Sequence, residues 1–314
     1  MEQINQTVTI GKTDLQVTPI GLGAWSWGDR MIWSYGRGYG DVEIHAAFDA
    51  SLEAGINFID TAEAYGSGRS ERLIGSFLAG STTPLVIATK FMPYPWRWTK
   101  GALSSALRRS LERLKLEQVD LYQIHWDWPP VSIETWADGL ADVVQQGLAR
   151  AVGVSNYDEA QMRRANAVLA KRGVPLASNQ VEYSLIHRNV ESNGVLQACQ
   201  ELNITLIAYS PIGMGVLTGK YGPEKPLPGL RGRRYPRPFL QKVEPLMRLI
   251  GEVGRAHDGK TPSQVALNWL MCKGVLPIPG AKNLRQAREN TGALGWRLSE
   301  PEVIALDEAS ANLR

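Results

Sequence analysis

Three short apolar runs end on residues that can carry charge or a proton. Asp60 closes one of them and Tyr65 stands five residues on, in Phe58-Ile59-Asp60-Thr61-Ala62-Glu63-Ala64-Tyr65-Gly66. Lys90 ends Val86-Ile87-Ala88-Thr89-Lys90, and His125 ends Leu121-Tyr122-Gln123-Ile124-His125. Each has an ordinary explanation alone: an Asp after a strand caps a helix, a Tyr packs, and one of four histidines is structural. Together they make one chemistry. A carbonyl reduced by hydride becomes an alkoxide, which needs a proton and a hydrogen bond on its oxygen. A phenol, with an ordinary pKa of about 10, supplies that proton more readily if a neighbouring ammonium lowers it. The expectation is therefore that Lys90 lowers Tyr65, that Asp60 holds Lys90 charged and in place, and that neutral His125 orients the substrate oxygen.

Such residues meet only if the elements behind them converge. A hairpin is expected first, with Thr7–Ile10 and Leu15–Thr18 flanking the turn Gly11–Asp14. Eight apolar runs follow, read as buried strands at Ile20–Gly23, Ile56–Ile59, Leu85–Thr89, Val119–Ile124, Arg150–Val154, Ala177–Val181, Ile204–Ala208 and Val275–Ile278. Amphipathic segments separate them, at Asp41–Ala54, Ser70–Leu78, Gly101–Arg113, Glu134–Gln146, Asp158–Ala170, Gly194–Glu201, Pro245–His257 with Pro262–Met271, and Leu284–Leu294. Ser299 and Glu302 form a capping box opening a last helix to about Ser310. Strands apolar on both faces and separated by helices imply a parallel sheet. Eight units without a break in composition predict one domain over residues 1–314, an α/β protein built as a (β/α)8 TIM barrel with an N-terminal hairpin and an extra C-terminal helix. In such a barrel the chemistry sits where strands end, which is where the four residues lie. Gly222–Pro238, rich in Gly, Pro and Arg, is read as a functional loop.

Composition excludes several alternatives. Of the 314 residues, 44% are hydrophobic and 21% charged, as in ordinary globular proteins. A net charge of +3 gives no case for nucleic acid, and the one basic cluster is Arg231, Arg233, Arg234 and Arg237. The two cysteines, Cys199 and Cys272, offer no disulfide framework. No run reaches membrane-span length, and Met1–Gln6 carry no basic-then-apolar leader, so no membrane partner and a cytoplasmic location are expected. His45 and His257 fall in helices and His187 in a loop, leaving too few ligands at strand ends for a metal. The sequence sets no oligomeric state.

Two phosphate motifs fail. Gly21-Leu22-Gly23-Ala24-Trp25-Ser26 ends on Ser and runs into aromatic, Gly-rich sequence, unlike a dinucleotide fingerprint. Gly215-Val216-Leu217-Thr218-Gly219-Lys220-Tyr221 is one residue short of a phosphate loop and has Tyr where Ser or Thr is needed.

Over nearly its whole length the chain resembles the aldo-keto reductase superfamily, on the four segments above and on four more. These are Gly153-Val154-Ser155-Asn156, Asn179-Gln180, Tyr209-Ser210-Pro211, and Ile278-Pro279-Gly280-Ala281-Lys282 leading to Glu289-Asn290. The resemblance implies an NADPH-dependent reductase of small aldehydes or ketones, with Asp60, Tyr65, Lys90 and His125 as the catalytic tetrad. It implies that Ser155, Asn156 and Gln180 hold the nicotinamide carboxamide, that Tyr209 stacks on its ring, and that Ser210 and Pro211 belong to the same wall. It further implies that Gly280, Lys282, Gln286, Glu289 and Asn290 grip the adenosine phosphate end. Gly213, Gly215, Leu217, Lys220 and Arg231 resemble a strap over the pyrophosphate. Within the superfamily, Gly23-Ala24-Trp25-Ser26-Trp27-Gly28, Tyr94-Pro95-Trp96-Arg97 and Ala293-Leu294-Gly295-Trp296 are similar to the plant plastid pyridoxal reductase-like branch, without its longer targeting segment. Pyridoxal is thereby a candidate substrate.

Trp25, Trp27, Trp33, Trp96, Trp98, Trp126 and Trp128 follow strand ends or lie in the adjoining loops. They predict a flat, partly apolar substrate, with Trp25, Trp96 and Trp126 as its walls. Two other readings stay open. Lys90 could form a Schiff base in a lyase, although an Asp60 partner would blunt it as a nucleophile. Some relatives are channel-associated subunits that bind NADPH and turn over slowly.

Overall fold

The computed structural model describes residues 7–80 and 83–313. The expectation about Met1–Gln6 lies outside them. The strands β1 (Val8–Thr9) and β2 (Gln16–Val17) pair antiparallel as the expected hairpin. Then β3 (Leu22–Gly23) and α1 (Asp41–Glu53) begin the alternation. It continues through β4 (Phe58–Asp60), α2 (Arg69–Leu78), β5 (Val86–Phe91), α3 (Gly101–Leu114), β6 (Val119–Ile124) and α4 (Ile133–Gln145). The next units are β7 (Ala149–Ser155), α5 (Glu159–Lys171), β8 (Leu176–Glu182), α6 (Val195–Leu202) and β9 (Thr205–Tyr209). The chain ends with α7 (Gly229–Arg234), α8 (Arg237–Ala256), α9 (Pro262–Cys272), β10 (Leu276–Pro277), α10 (Leu284–Thr291) and α11 (Glu300–Ser310).

The eight strands from β3 to β10 are parallel and lie in sequence order. Gly23 bridges Gly280 in parallel, and the Gly21 and Gly23 amides donate to Pro277 O and Pro279 O, so the first strand meets the last and the sheet closes. Alternation along a strand decides what enters the lumen. Phe58, Val86 and Leu121 belong to one buried cluster inside, whereas Ile59, Ile87 and Tyr122 belong to the larger cluster shared with the helices. Two residues on from the inner layer stand Asp60, Ala88 and Gln123, and four on stand Lys90 and His125. Gly153 has to be glycine in this lumen, because a Cβ there would stand 2.1 Å from Ser178 Oγ. Ile10, Leu15 and Val17 of the hairpin join the inner cluster, and the Gly11 amide donates to Thr205 Oγ1 at the start of β9 (2.8 Å). The hairpin thus plugs the end of the barrel opposite the chemistry.

The segment after β9 departs from expectation. Gly229–Arg234 folds as a short helix with no buried residue, where a loop was expected. Helix α8 starts at Arg237, not Pro245. Pro238 falls in its first turn, where no N–H is needed, and Pro245 is carried inside it. The buried stripe Leu240, Val243, Leu246, Ile250 and Val253 offsets that missing hydrogen bond. The Ser299–Glu302 capping box is present as expected. Among the described residues no helix is long and apolar enough to cross a membrane, and no cluster of ligands could hold a metal.

Candidate active site

One cavity of about 590 Å³ opens at the C-terminal ends of the strands. Asp60, Tyr65 and His125 line it, and Lys90 lies fully buried behind them. The Lys90 ammonium is held by three oxygens. It donates to Asp60 Oδ1 at 2.5 Å, Thr61 O at 2.8 Å and the Tyr65 hydroxyl at 3.2 Å. The other Asp60 oxygen accepts from Gln180 Nε2 (2.8 Å) and, at 3.4 Å, from Gln123 Nε2. Tyr65 and His125 pack edge to face, 5.6 Å between centroids.

The electrostatics differ from expectation at Tyr65. Its phenol is raised well above the ordinary value, by burial first and by the Asp60 charge second, whereas Lys90 was expected to lower it. The reason lies in the geometry: the ammonium makes its two shorter hydrogen bonds elsewhere, and desolvation disfavours phenolate. Burial lowers the Lys90 ammonium too, against the Asp60 charge, the Asp60 hydrogen bond and the Glu71 charge. Glu71 is itself fully buried, bound to Thr89 Oγ1 (2.6 Å) and Arg113 Nε (2.6 Å). Burial and the Lys90 charge bring His125 down to about 3, so its imidazole is neutral. His125 Nδ1 is buried with no partner among the described residues.

The predicted cofactor residues gather along the same cavity. Ser155, Asn156, Gln180, Tyr209, Ser210 and Pro211 line one part; Gly280, Lys282, Gln286, Glu289 and Asn290 line another, with Lys220 and Arg231 nearby. Ser155 Oγ donates to Gln180 O (2.8 Å), Asn156 Nδ2 to His125 O (3.0 Å), and the Tyr209 hydroxyl to Asn156 Oδ1 (3.0 Å). Asn156, Ser210 and Met214 line the cavity with φ of 62°, 49° and 52°, a left-handed conformation that costs non-glycine residues energy and concentrates where ligands are held. In the second group the Lys282 amide donates to Gln286 Oε1 (2.9 Å), and Asn290 Nδ2 donates to Gly280 O (3.2 Å).

Besides Lys90, three predicted residues are not on the wall. Leu217 is fully buried in the core, and Gly213 turns the chain behind Met214 with φ 57° and its amide on Ser210 O. Both shape the loop from behind. Trp96 is 72% exposed and stacks on Tyr94, outside the cavity, because Arg97 is drawn back onto Glu63 and Met92 O. Trp25 and Trp126 do line it. Trp27 is a core residue, its Nε1 on Ala281 O (2.8 Å). Sequence reasoning passed over Trp33, Glu182 and Arg234, which line the cavity as well. Trp33 was visible as a rim tryptophan and Arg234 as part of a basic cluster, but nothing ranked them; Arg234 NH2 pairs with Glu182 at 2.6 Å.

The cavity suits a dinucleotide. Its wall carries a neutral imidazole and a phenol together with the Lys282 and Arg231 cations, which have no carboxylate partner among the described residues, and Arg231 Nε and Trp33 Nε1 are buried donors that also lack partners among them.

Comparison with known proteins agrees. The model of the aldo/keto reductase family matches residues 19–311. The chain is 43% identical to the chloroplastic pyridoxal reductase of Arabidopsis thaliana, over 94% of this chain and 84% of that one. Its fold is similar to that of a glycerol dehydrogenase from Gluconobacter oxydans, with a TM-score of 0.86 and 29% identity over 97% of this chain and 95% of the other. It is also similar to an aldo-keto reductase from Klebsiella pneumoniae solved in complex with NADPH, with a TM-score of 0.75 and 26% identity over 98% and 95% of the two chains. A closed eight-stranded parallel barrel, matched by the family model over almost the whole chain, makes this protein an oxidoreductase of the aldo/keto reductase family.

Proposed function

We propose that the chain, as a single barrel domain over residues 1–314, reduces small aldehydes or ketones to alcohols with NADPH, and that Tyr65 is the general acid. The observation that carries this reading is the Tyr65 hydroxyl at 3.2 Å from the buried Lys90 ammonium, beside a neutral imidazole, on the wall of a dinucleotide-sized cavity.

Ser155, Asn156 and Gln180 would hold the carboxamide, Tyr209 the ring face, and Lys282 with Arg231 the phosphates; when bound, the cofactor supplies a hydride. His125 donates a hydrogen bond to the carbonyl oxygen and fixes it beside Tyr65. As the carbonyl carbon takes the hydride, the C=O π pair moves onto oxygen and draws the proton from Tyr65. Burial keeps the Tyr65 phenol protonated, so the proton is in place at the start of the cycle, and an alkoxide forming in the same pocket is a stronger base than the phenolate it leaves behind. The phenolate left behind accepts from Lys90, which Asp60 keeps in position. Reprotonation from solvent resets the site.

Trp25 and Trp126 favour aromatic or heteroaromatic aldehydes, and the Arabidopsis relative is a pyridoxal reductase, so pyridoxal heads the list of substrates. The full burial of Lys90 behind Asp60 and Tyr65 speaks against a Schiff-base lyase. Cys199 and Cys272, both unpaired, accord with a reducing, cytoplasmic setting. The test is a panel of aldehydes including pyridoxal, with NADPH oxidation followed by absorbance in the wild type and in Tyr65→Phe. Turnover that Tyr65→Phe leaves untouched would remove Tyr65 as the acid, and no turnover on any aldehyde would return the regulatory-subunit reading.

A further inference from the structure

We propose that Trp33 is a specificity-determining residue for the phosphorylated dinucleotide, recognising the adenosine 2′-phosphate with its indole N–H and holding Lys282 and Arg231 beside it. The proposal rests on the reading of an NADPH-dependent enzyme given above.

Two cations converge on this one ring. The Lys282 ammonium lies 4.6 Å from the Trp33 centroid and donates to Trp33 O at 3.3 Å. The Arg231 guanidinium lies 5.2 Å from the same centroid and donates to Met214 O. Neither has a carboxylate partner within ion-pair distance among the described residues, whereas Arg234 on the same cavity pairs with Glu182. Placing like charges together with only the Asp29 charge, beyond ion-pair distance, to offset them is unfavourable, and the quadrupole of the indole face compensates only part of it. Burial and the Arg231 charge accordingly bring Lys282 down to about 8.

The donors that remain unsatisfied define what would restore the balance. Trp33 Nε1 and Arg231 Nε are both buried without a hydrogen-bond partner among the described residues, and Trp33, Arg231 and Lys282 line the same cavity. Two N–H groups and an ammonium around an excess of positive charge call for a compact anion with several acceptor oxygens; the 2′-phosphate and the pyrophosphate both qualify and a ribose hydroxyl does not, and only the first makes the affinity ratio of the two dinucleotides depend on this cluster. The loop that carries Trp33 is built to stay in place: the Asp29 carboxylate accepts from the Ile32 and Trp33 amides at 2.8 and 3.2 Å. Trp33 thereby separates two dinucleotides that differ only in that phosphate.

The test measures dissociation constants of NADPH and NADH by calorimetry for the wild type, Trp33→Phe and Trp33→Leu, with circular dichroism confirming each fold. Phe keeps a ring face and removes the N–H; Leu removes both. Loss of one charge-assisted hydrogen bond predicts that Trp33→Leu weakens NADPH by about tenfold or more, Trp33→Phe by less, and NADH by under about twofold in either. An NADPH-to-NADH affinity ratio unchanged in Trp33→Leu, or both dinucleotides weakened in equal proportion, overturns the proposal. A wild type that binds neither dinucleotide overturns the parent reading instead, so the two failures are distinct.

Discussion

The ammonium of Lys90 reaches the Tyr65 hydroxyl at 3.2 Å while resting on Asp60 at 2.5 Å, so one cation joins a buried carboxylate to the phenol on the cavity wall. The link is one of position more than charge, because burial, with the Asp60 charge second, leaves the phenol raised. Removing the phenol proton alone should therefore cost chemistry and little else. Tyr65→Phe is expected to lower kcat by about 100-fold or more while leaving the NADPH dissociation constant within about twofold. Calorimetry beside steady-state kinetics checks it, and a matching loss of NADPH affinity would contradict it.

Lys90 also holds the fold together. Lys90→Met replaces the ammonium by an apolar chain of similar volume but leaves the Asp60 carboxylate buried without its partner. Breaking a buried pair in this way costs about 3–5 kcal/mol. The urea midpoint should fall accordingly, and Asp60→Asn in the same chain should recover part of the loss, because the buried charge is gone. Additive destabilisation by the two changes would show that they do not act as a pair.

His125 gives a signed prediction in pH. Its ordinary value of 6.5 falls to about 3 in the folded protein, through burial first and Lys90 second. Below about 6.5 the unfolded chain takes up a proton that the native imidazole refuses. This group therefore makes stability fall as pH drops from 6.5 towards 3 and contributes no change above 6.5. Denaturant unfolding of wild type and His125→Asn across that range should show the slope flattened in the variant. His125 likewise adds no inflection to kcat between pH 6 and 8.

Much of this was legible because alternation along a strand carries position as well as identity. Once Phe58, Val86 and Leu121 are read as lumen residues, Asp60, Lys90 and His125 must point inward at the same end, and Tyr65 follows on the next turn. Less legible was everything that depends on how loops fold. Trp33 and Trp96 look equivalent in sequence, yet one is carried into the cavity by a loop pinned on Asp29, while the other is turned out by the Arg97–Glu63 pair. Helix α8 was read eight residues short because Pro245 looks like a start, and only the packing of Leu240 and Val243 shows that the helix precedes it. The raised Tyr65 phenol was out of reach for another reason: the balance of desolvation against a nearby cation depends on distances that spacing does not give.

Lys282 predicts how cofactor affinity depends on pH. Its ammonium is lowered from 10.5 to about 8 by burial, then by Arg231, with Asp29 opposing; the rings of Trp33 and Tyr39 complete its surroundings. A phosphate monoester is dianionic above about pH 6, so attraction is greatest between pH 6 and 8 and declines as Lys282 loses its proton above 8. The NADPH dissociation constant should rise through that range while that of NADH stays nearly level. Lys282→Arg, charged throughout, should flatten the NADPH curve. Parallel curves for the two dinucleotides would place the titrating group elsewhere.

The tryptophans of the rim divide by geometry into two groups with opposite expectations. Trp25 lines the cavity 6.3 Å from the Tyr65 ring, and Trp126 lines it beside His125, so an aromatic aldehyde bound for reduction would press against both. Trp25→Ala and Trp126→Ala should each reduce kcat/KM for aromatic aldehydes by about tenfold while affecting short aliphatic ones much less, since lost apolar contact in a pocket costs on the order of 1–3 kcal/mol. Trp96, stacked on Tyr94 and facing solvent, should tolerate alanine with less than about a twofold change for either class. Competition between aromatic and aliphatic aldehydes in one assay reads the difference directly. A profile altered by Trp96→Ala as strongly as by Trp25→Ala would mean that the loop at Tyr94–Trp98 closes over the bound substrate.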